Sequence, residues 1–322
     1  MIQRKKGSTH TFPPAQRFLL ILLSIVSCAS LLTQTSHFGV AVVRGQDDDD
    51  DVVRVNTDLV VLNVTVTDKD GKYLHKLARK DFKILENGRE QSIANFNVEE
   101  TPFAVAILLD SSGSMEGRMS LARAGAIRFL DGLREDDVAA IYRFDSEVEQ
   151  LQDFSPGRDL PPMAFDVRAK GTTVLNDAIV RAAIDLSQRT EKRRAIVVLS
   201  DGADTRSRAS SDKALNAALA ANATIYTVDM SDPKTTPRER MMGIGALQNF
   251  AAKSGGRFVA SPGGKSLSDA FASIVEELSN QYTIGYQSTN RARDGRWREI
   301  EVAVARPEAH ARTRRGYRAP KS

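Results

Sequence analysis

From Phe103 to residue 279 strand-like and helix-like runs alternate, and nothing else in the chain restricts its fold as much. Phe103–Leu109 (FAVAILL) is continuously apolar, the pattern of a parallel strand covered on both faces. Met119, Ala122, Ala126, Phe129, Leu130 and Leu133 then recur at helical spacing. The series continues with a strand at Val138–Phe144, a helix at Leu175–Leu186 and a buried strand at Ala195–Leu199. A helix at 211–221, a strand at Thr224–Val228, a helix at 245–253, a strand at Arg257–Ala260 and a helix at 266–279 complete it. Such alternation predicts an α/β fold with a doubly wound, mostly parallel sheet. Ligands of such sheets bind at the carboxyl ends of strands, near the point where strand order reverses.

The flanks read differently. Residues 52–99 form a β-rich module of sandwich type: Leu59–Thr67 is β-branched and roughly alternating, Asp70-Gly71 and Asn87-Gly88 mark turns, and Gln91–Val98 returns as a strand. Residues 281–322 form a C-terminal β extension with Tyr282–Gln287, a turn at Asp294-Gly295, Trp297–Val304 and a last stretch ending at Tyr317. The two β segments bracket residues 102–280 and are expected to pack together or to flank the same face. The Arg-rich end (Arg312, Arg314, Arg315, Arg318) suits an exposed edge strand protected by charge.

The N-terminus carries targeting signals rather than fold signals. Arg4, Lys5, Lys6 and Arg17 precede a mostly apolar run from Phe18 to Leu32, which is short for a membrane-spanning helix of about 20 residues. Residues 1–45 are therefore expected to be a signal peptide or membrane-anchoring segment, and the protein to be exported: periplasmic, envelope-associated or secreted. Cys28, after Ile25-Val26-Ser27, resembles the lipidated cysteine of a bacterial lipobox; an ordinary small residue of a cleaved signal is the alternative, so membrane attachment stays open. Residues 46–51, mostly aspartate, read as a solvated acidic linker. Cys28 is the sole cysteine, which excludes an intramolecular disulfide framework and a Cys-based zinc site, and the net charge of +4 does not point to nucleic acid.

The chemistry sits where the first buried strand ends. Asp110, Ser112 and Ser114 present hard oxygen donors on one tight loop, a set that suits Mg²⁺ keeping waters and an open position. Two hydroxyls cannot hold a divalent ion alone. Further oxygens are available at Gly171-Thr172-Thr173-Val174-Leu175, before a helix, and at Ser200-Asp201-Gly202, after a strand. In a doubly wound sheet all three loops emerge on one edge.

Asp110-x-Ser112-x-Ser114, the Thr173 loop and Ser200-Asp201-Gly202, in that order, resemble the metal ion-dependent adhesion site of von Willebrand factor type A domains. Thr173 rather than Thr172 fits the family's spacing, because Leu175 and Ala178 follow it. The resemblance implies that Ser112, Ser114 and Thr173 ligate the ion directly, while Asp110 and Asp201 act through water or indirectly. It also implies Mg²⁺, with Mn²⁺ or Ca²⁺ as alternatives, and a partner protein whose Asp or Glu carboxylate completes the coordination. The flanks, including Gly285-Tyr286 and Arg315-Gly316-Tyr317, are similar to those of bacterial exported members.

Two rival functions compete with this binding module. A Mg²⁺-dependent hydrolase using the Asp110 loop would want a second aspartate two residues on, where this chain has Ser112. Neither Ser112 nor Ser114 sits in a Gly-x-Ser-x-Gly elbow, and His10, His37, His75 and His310 all fall outside the α/β unit, so no catalysis is expected. The second rival is a structural envelope protein in which the ion only staples loops together.

Overall fold

The computed structural model describes residues 59–98, 101–156, 171–232, 234, 236–260 and 265–321. The expected targeting segment, Cys28 and the acidic linker lie outside the described residues. Among the described residues no helix is long and apolar enough to cross a membrane.

The α/β unit is built on a six-stranded sheet. In chain order its strands are β5 (Phe103–Asp110), β6 (Val138–Phe144), β7 (Val148–Ser155), β8 (Arg193–Ser200), β9 (Ala223–Asp229) and β10 (Phe258–Val259). Their spatial order is β10-β9-β8-β5-β6-β7, with β6–β7 antiparallel and the other pairs parallel. Two helices, α1 (Met119–Asp131) and α5 (Lys265–Ser279), cover one face; α2 (Leu175–Ser187), α3 (Ser211–Ala220) and α4 (Pro237–Ser254) cover the other. Strand β5 shows why its run had to be apolar throughout. Ala104, Ala106 and Leu108 enter the core under α2–α4, and Phe103, Val105, Ile107 and Leu109 enter the core under α1 and α5. The chain leaves β5 toward β6 on one side and later returns to place β8 on the other, so the point where strand order reverses falls between the ends of β5 and β8.

Three features depart from the sequence pattern. Strand β7 has no apolar alternation to announce it; as an antiparallel edge strand it needs only one hydrogen-bonded side. The strand expected at Arg257–Ala260 shrinks to Phe258–Val259. Helix α4 begins at Pro237 rather than 245. Thr236 caps it by accepting from the Glu239 N–H at 3.4 Å, Pro237 occupies the first turn, and the first turns are mostly exposed, which removes the periodicity that would mark them.

Residues 59–98 do not close a sandwich alone. They supply β1 (Leu59–Thr67), β2 (Phe82–Glu86), β3 (Arg89–Gln91) and β4 (Ile93–Val98); the C-terminal segment supplies β11 (Tyr282–Gln287), β12 (Trp297–Val304), β13 (His310–Arg312) and β14 (Gly316–Arg318). The two four-stranded sheets, β13-β1-β11-β4 and β14-β12-β2-β3, each mix both segments. They share one core in which Leu62, Val64, Ile84, Tyr282 and Ile284 are buried and the Phe82 and Tyr282 rings lie 5.1 Å apart.

A buried polar cluster joins this sandwich to the α/β unit. Glu277 of α5, 1% exposed, accepts from Tyr226 Oη of β9 at 2.9 Å and Thr65 Oγ1 of β1 at 3.2 Å, and pairs with Arg312 of β13 and Arg257. Removing one member of a buried ion cluster leaves uncompensated charge. Glu277→Ala should therefore cost about 3–5 kcal/mol in urea unfolding, against about 1 kcal/mol for an exposed pair such as Lys83–Glu90.

Candidate metal centre

The loop after β5 is held by its own short polar residues. Ser111 donates its N–H (2.8 Å) and its hydroxyl (3.2 Å) to Phe144 O at the end of β6. The Ser112 N–H donates to Asp110 Oδ1 at 2.9 Å, turning the chain sharply, and a 3-10 turn at Gly113–Met115 follows, anchored by the fully buried Met115. The turn leaves Ser112 Oγ and Ser114 Oγ 3.1 Å apart, with Ser112 buried and Ser114 exposed at the rim.

Strand β8 ends beside this loop. Its last residue, Ser200, donates its hydroxyl to Asp110 Oδ2 at 2.5 Å and accepts from the Gly202 N–H at 3.0 Å. Both carboxylate oxygens of Asp110 are thus engaged and the residue is fully buried. Burial pushes its carboxyl up to about 7, against the bonds from Ser112 and Ser200 that favour the anion; the nearby Asp201 charge raises it further. Asp201 itself is half-exposed and accepts from the Ala203 N–H at 3.0 Å.

The third loop is placed by neighbours rather than by itself. Gly171 adopts φ +81, and the Gly113 Cα faces its carbonyl, bringing the first and third loops side by side. Thr173 is buried; its N–H donates to Thr205 Oγ1 at 2.9 Å, and its carbonyl accepts from Thr205 N–H at 2.9 Å and Arg206 N–H at 3.1 Å. Helix α2, which lacks a side-chain cap of its own, is capped by the β8 loop: Asn176 N–H donates to Asp204 Oδ2 and Asp177 N–H to Ser207 Oγ. Asp177 reciprocates, accepting from the Arg208 and Ala209 N–H groups at 2.9 Å each.

The three loops that carry Asp110, Ser112, Ser114, Thr173 and Asp201 therefore meet at one edge, and side chains tie Asp110 to the end of β8 and Thr173 to Thr205. Ser200 belongs to the Ser200-Asp201-Gly202 motif, but its bond to Asp110 is not written there; Asp177, Asp204 and Thr205 carry no motif, and the sequence shows the last two only as part of the polar run from 200 to 210.

The donor chemistry fits a small hard cation. Adjacent ligands of an octahedral ion with bonds of about 2.1 Å lie about 3 Å apart, close to the 3.1 Å between the Ser112 and Ser114 hydroxyls. Among the described residues no group of three or more His, Cys, Asp or Glu side chains could hold a metal, so such an ion would rest mainly on hydroxyls, with the two carboxylates behind them.

Residues 105–203, within the α/β unit, match the family model of the von Willebrand factor type A domain. No curated protein matches the chain in sequence. Among solved structures it is similar to the PilB minor pilin from Streptococcus sanguinis (15% identity, 59% of this chain and 63% of that one, TM-score 0.45). It is also similar to a von Willebrand factor type A protein from Catenulispora acidiphila (12% identity, 84% and 75% covered, TM-score 0.46). A third is the von Willebrand domain of the type V pili tip protein Mfa5 from Porphyromonas gingivalis (15% identity, 56% and 95% covered, TM-score 0.45). The chain thus spans less than two thirds of the PilB pilin.

Proposed function

We propose that this chain is an exported protein-binding module. In this reading Ser112, Ser114 and Thr173 hold Mg²⁺, Asp110 and Asp201 supply negative charge from behind, and a carboxylate of a partner protein completes the coordination. The observation that carries it is the hydroxyl pair at 3.1 Å backed by the buried Asp110. An ion resting on neutral oxygens keeps most of its charge uncompensated, so it attracts an incoming carboxylate. The same arrangement speaks against hydrolysis. Both oxygens of Asp110 are engaged by Ser112 and Ser200, and no histidine lies within the α/β unit to act as a base. Export rests on the basic and apolar pattern of residues 1–45.

Mg²⁺ at about a hundred times its dissociation constant should stabilise the protein by about 2.7 kcal/mol, visible as a melting-temperature rise of several degrees that EDTA reverses. Immobilised protein should also retain an envelope protein in Mg²⁺ and release it in EDTA. Mg²⁺-dependent melting with no Mg²⁺-dependent capture would favour the loop-stapling role instead. No Mg²⁺ effect on melting would contradict both.

A further inference from the structure

Among the described residues Met241 (73% exposed) and Met242 (70%) are the most exposed large apolar side chains, and they are consecutive; the others, such as Ile127 and Ile184, occur singly. Their place in the fold is fixed by the residues around them. Arg240 of α4 lies 3.8 Å from the buried carboxylate of Asp229 at the end of β9, and Leu247 is fully buried. The backbone of Gly243 presses on the β8 loop so closely that a Cβ there would sit 2.1 Å from Asp201 O. With Arg240, Gly243 and Leu247 turned inward, the helical repeat leaves Met241 and Met242 on the solvent side.

Consecutive Cα atoms are about 3.8 Å apart, so Met242 is one residue's step from a backbone in contact with Asp201. A protein partner of ordinary size covers about 800 Å² on each side, a patch roughly 16 Å in radius. A partner whose carboxylate reaches the ion sits beside the β8 loop that Gly243 touches, so a footprint of this size can extend onto the pair. Methionine is unbranched and polarisable and moulds itself to irregular apolar surfaces.

We propose that Met241 and Met242 form the apolar half of the partner site, selecting a segment in which the metal-bound Asp or Glu has a large apolar side chain within two or three residues. This rests on the metal-dependent capture proposed above, since the ion fixes where the partner sits. The patch and the ion divide the work: the carboxylate gives direction, and the methionines discriminate among acidic segments.

The test pans the full chain, in Mg²⁺ with EDTA elution, against displayed short peptides that share one fixed central Asp and vary elsewhere. Recovered peptides should be enriched in Leu, Ile, Met or Phe beside the Asp. The double variant Met241→Ser, Met242→Ser should bind a recovered peptide about tenfold more weakly while its Mg²⁺ affinity and melting temperature stay those of the wild type. Met241→Leu with Met242→Leu should restore the binding. Recovered peptides without apolar enrichment, or a double-serine variant within about twofold of wild type, overturn this assignment while leaving the metal site intact. Absent Mg²⁺ binding, or bound Mg²⁺ with no EDTA-released peptide, overturns the metal-dependent capture and this inference with it.

Discussion

Asn in place of Asp110 should make the metal-free protein more stable at about pH 8 and weaken its Mg²⁺ binding severely. Asp110 ionises at about 7 in the fold and at about 4 in the unfolded chain. Between those values the fold holds a proton that the unfolded chain has released. Stability of the metal-free protein therefore falls as pH rises from about 4 to about 7, by on the order of a few kcal/mol, and is level above that. Asn keeps an acceptor for the Ser112 N–H and can donate to Ser200 Oγ, but carries no charge to be desolvated. The variant should melt several degrees above wild type in EDTA at about pH 8, with the difference shrinking toward pH 4, and its Mg²⁺ affinity should fall by about a hundredfold or more. Equal melting temperatures across that range would remove the premise that this carboxylate is held at a cost for binding.

The second large effect comes from a glycine whose replacement elsewhere would help. Gly243 lies inside α4, where Gly→Ala normally gains about 0.5–1 kcal/mol. Here the added Cβ would meet Asp201 O at 2.1 Å, and one on Gly202, at φ +80, would meet Gly243 O at 2.2 Å. Neither neighbour is a flexible side chain, so helix and loop must separate. Gly243→Ala should cost about 3 kcal/mol in urea unfolding and weaken Mg²⁺ binding by about tenfold, since Asp201 is carried off with its backbone. Gly245→Ala, two residues on with open space at its Cβ position, is the control and should stabilise slightly.

These two variants also mark how far the sequence reads. The apolar run of β5 could only be a strand buried on both faces, and the Asp110 loop could be read as oxygen donors because a strand end places them at the sheet's edge. The contact of Gly243 with Asp201 could not be read. It joins residues on different elements, and the exposed first turns of α4 carry no apolar period to show that a helix is there at all. The packing of the two β segments together is legible from their bracketing positions, but their pairing is not: β1 pairs with β11 and β2 with β12, strands separated by the whole α/β unit, and local patterning says nothing about which distant strand completes a sheet. The positioning roles of Asp177, Asp204 and Thr205, and the bond from Ser200 to Asp110, are not legible because each acts on another loop, as when Asp204 caps α2. A serine or aspartate that binds its own turn leaves a local motif; one that binds across the site does not.

The central claim is that one ion sits among the hydroxyls of Ser112, Ser114 and Thr173. Crystals soaked in Mn²⁺, measured for anomalous scattering, test it most directly. The account predicts a single strong peak about 2.1–2.2 Å from Ser112 Oγ and Ser114 Oγ, with Thr173 Oγ1 also coordinating, and no peak in Asp110→Asn crystals treated the same way. A peak elsewhere on the molecule, or none at this edge of the sheet in fully soaked wild-type crystals, would contradict it.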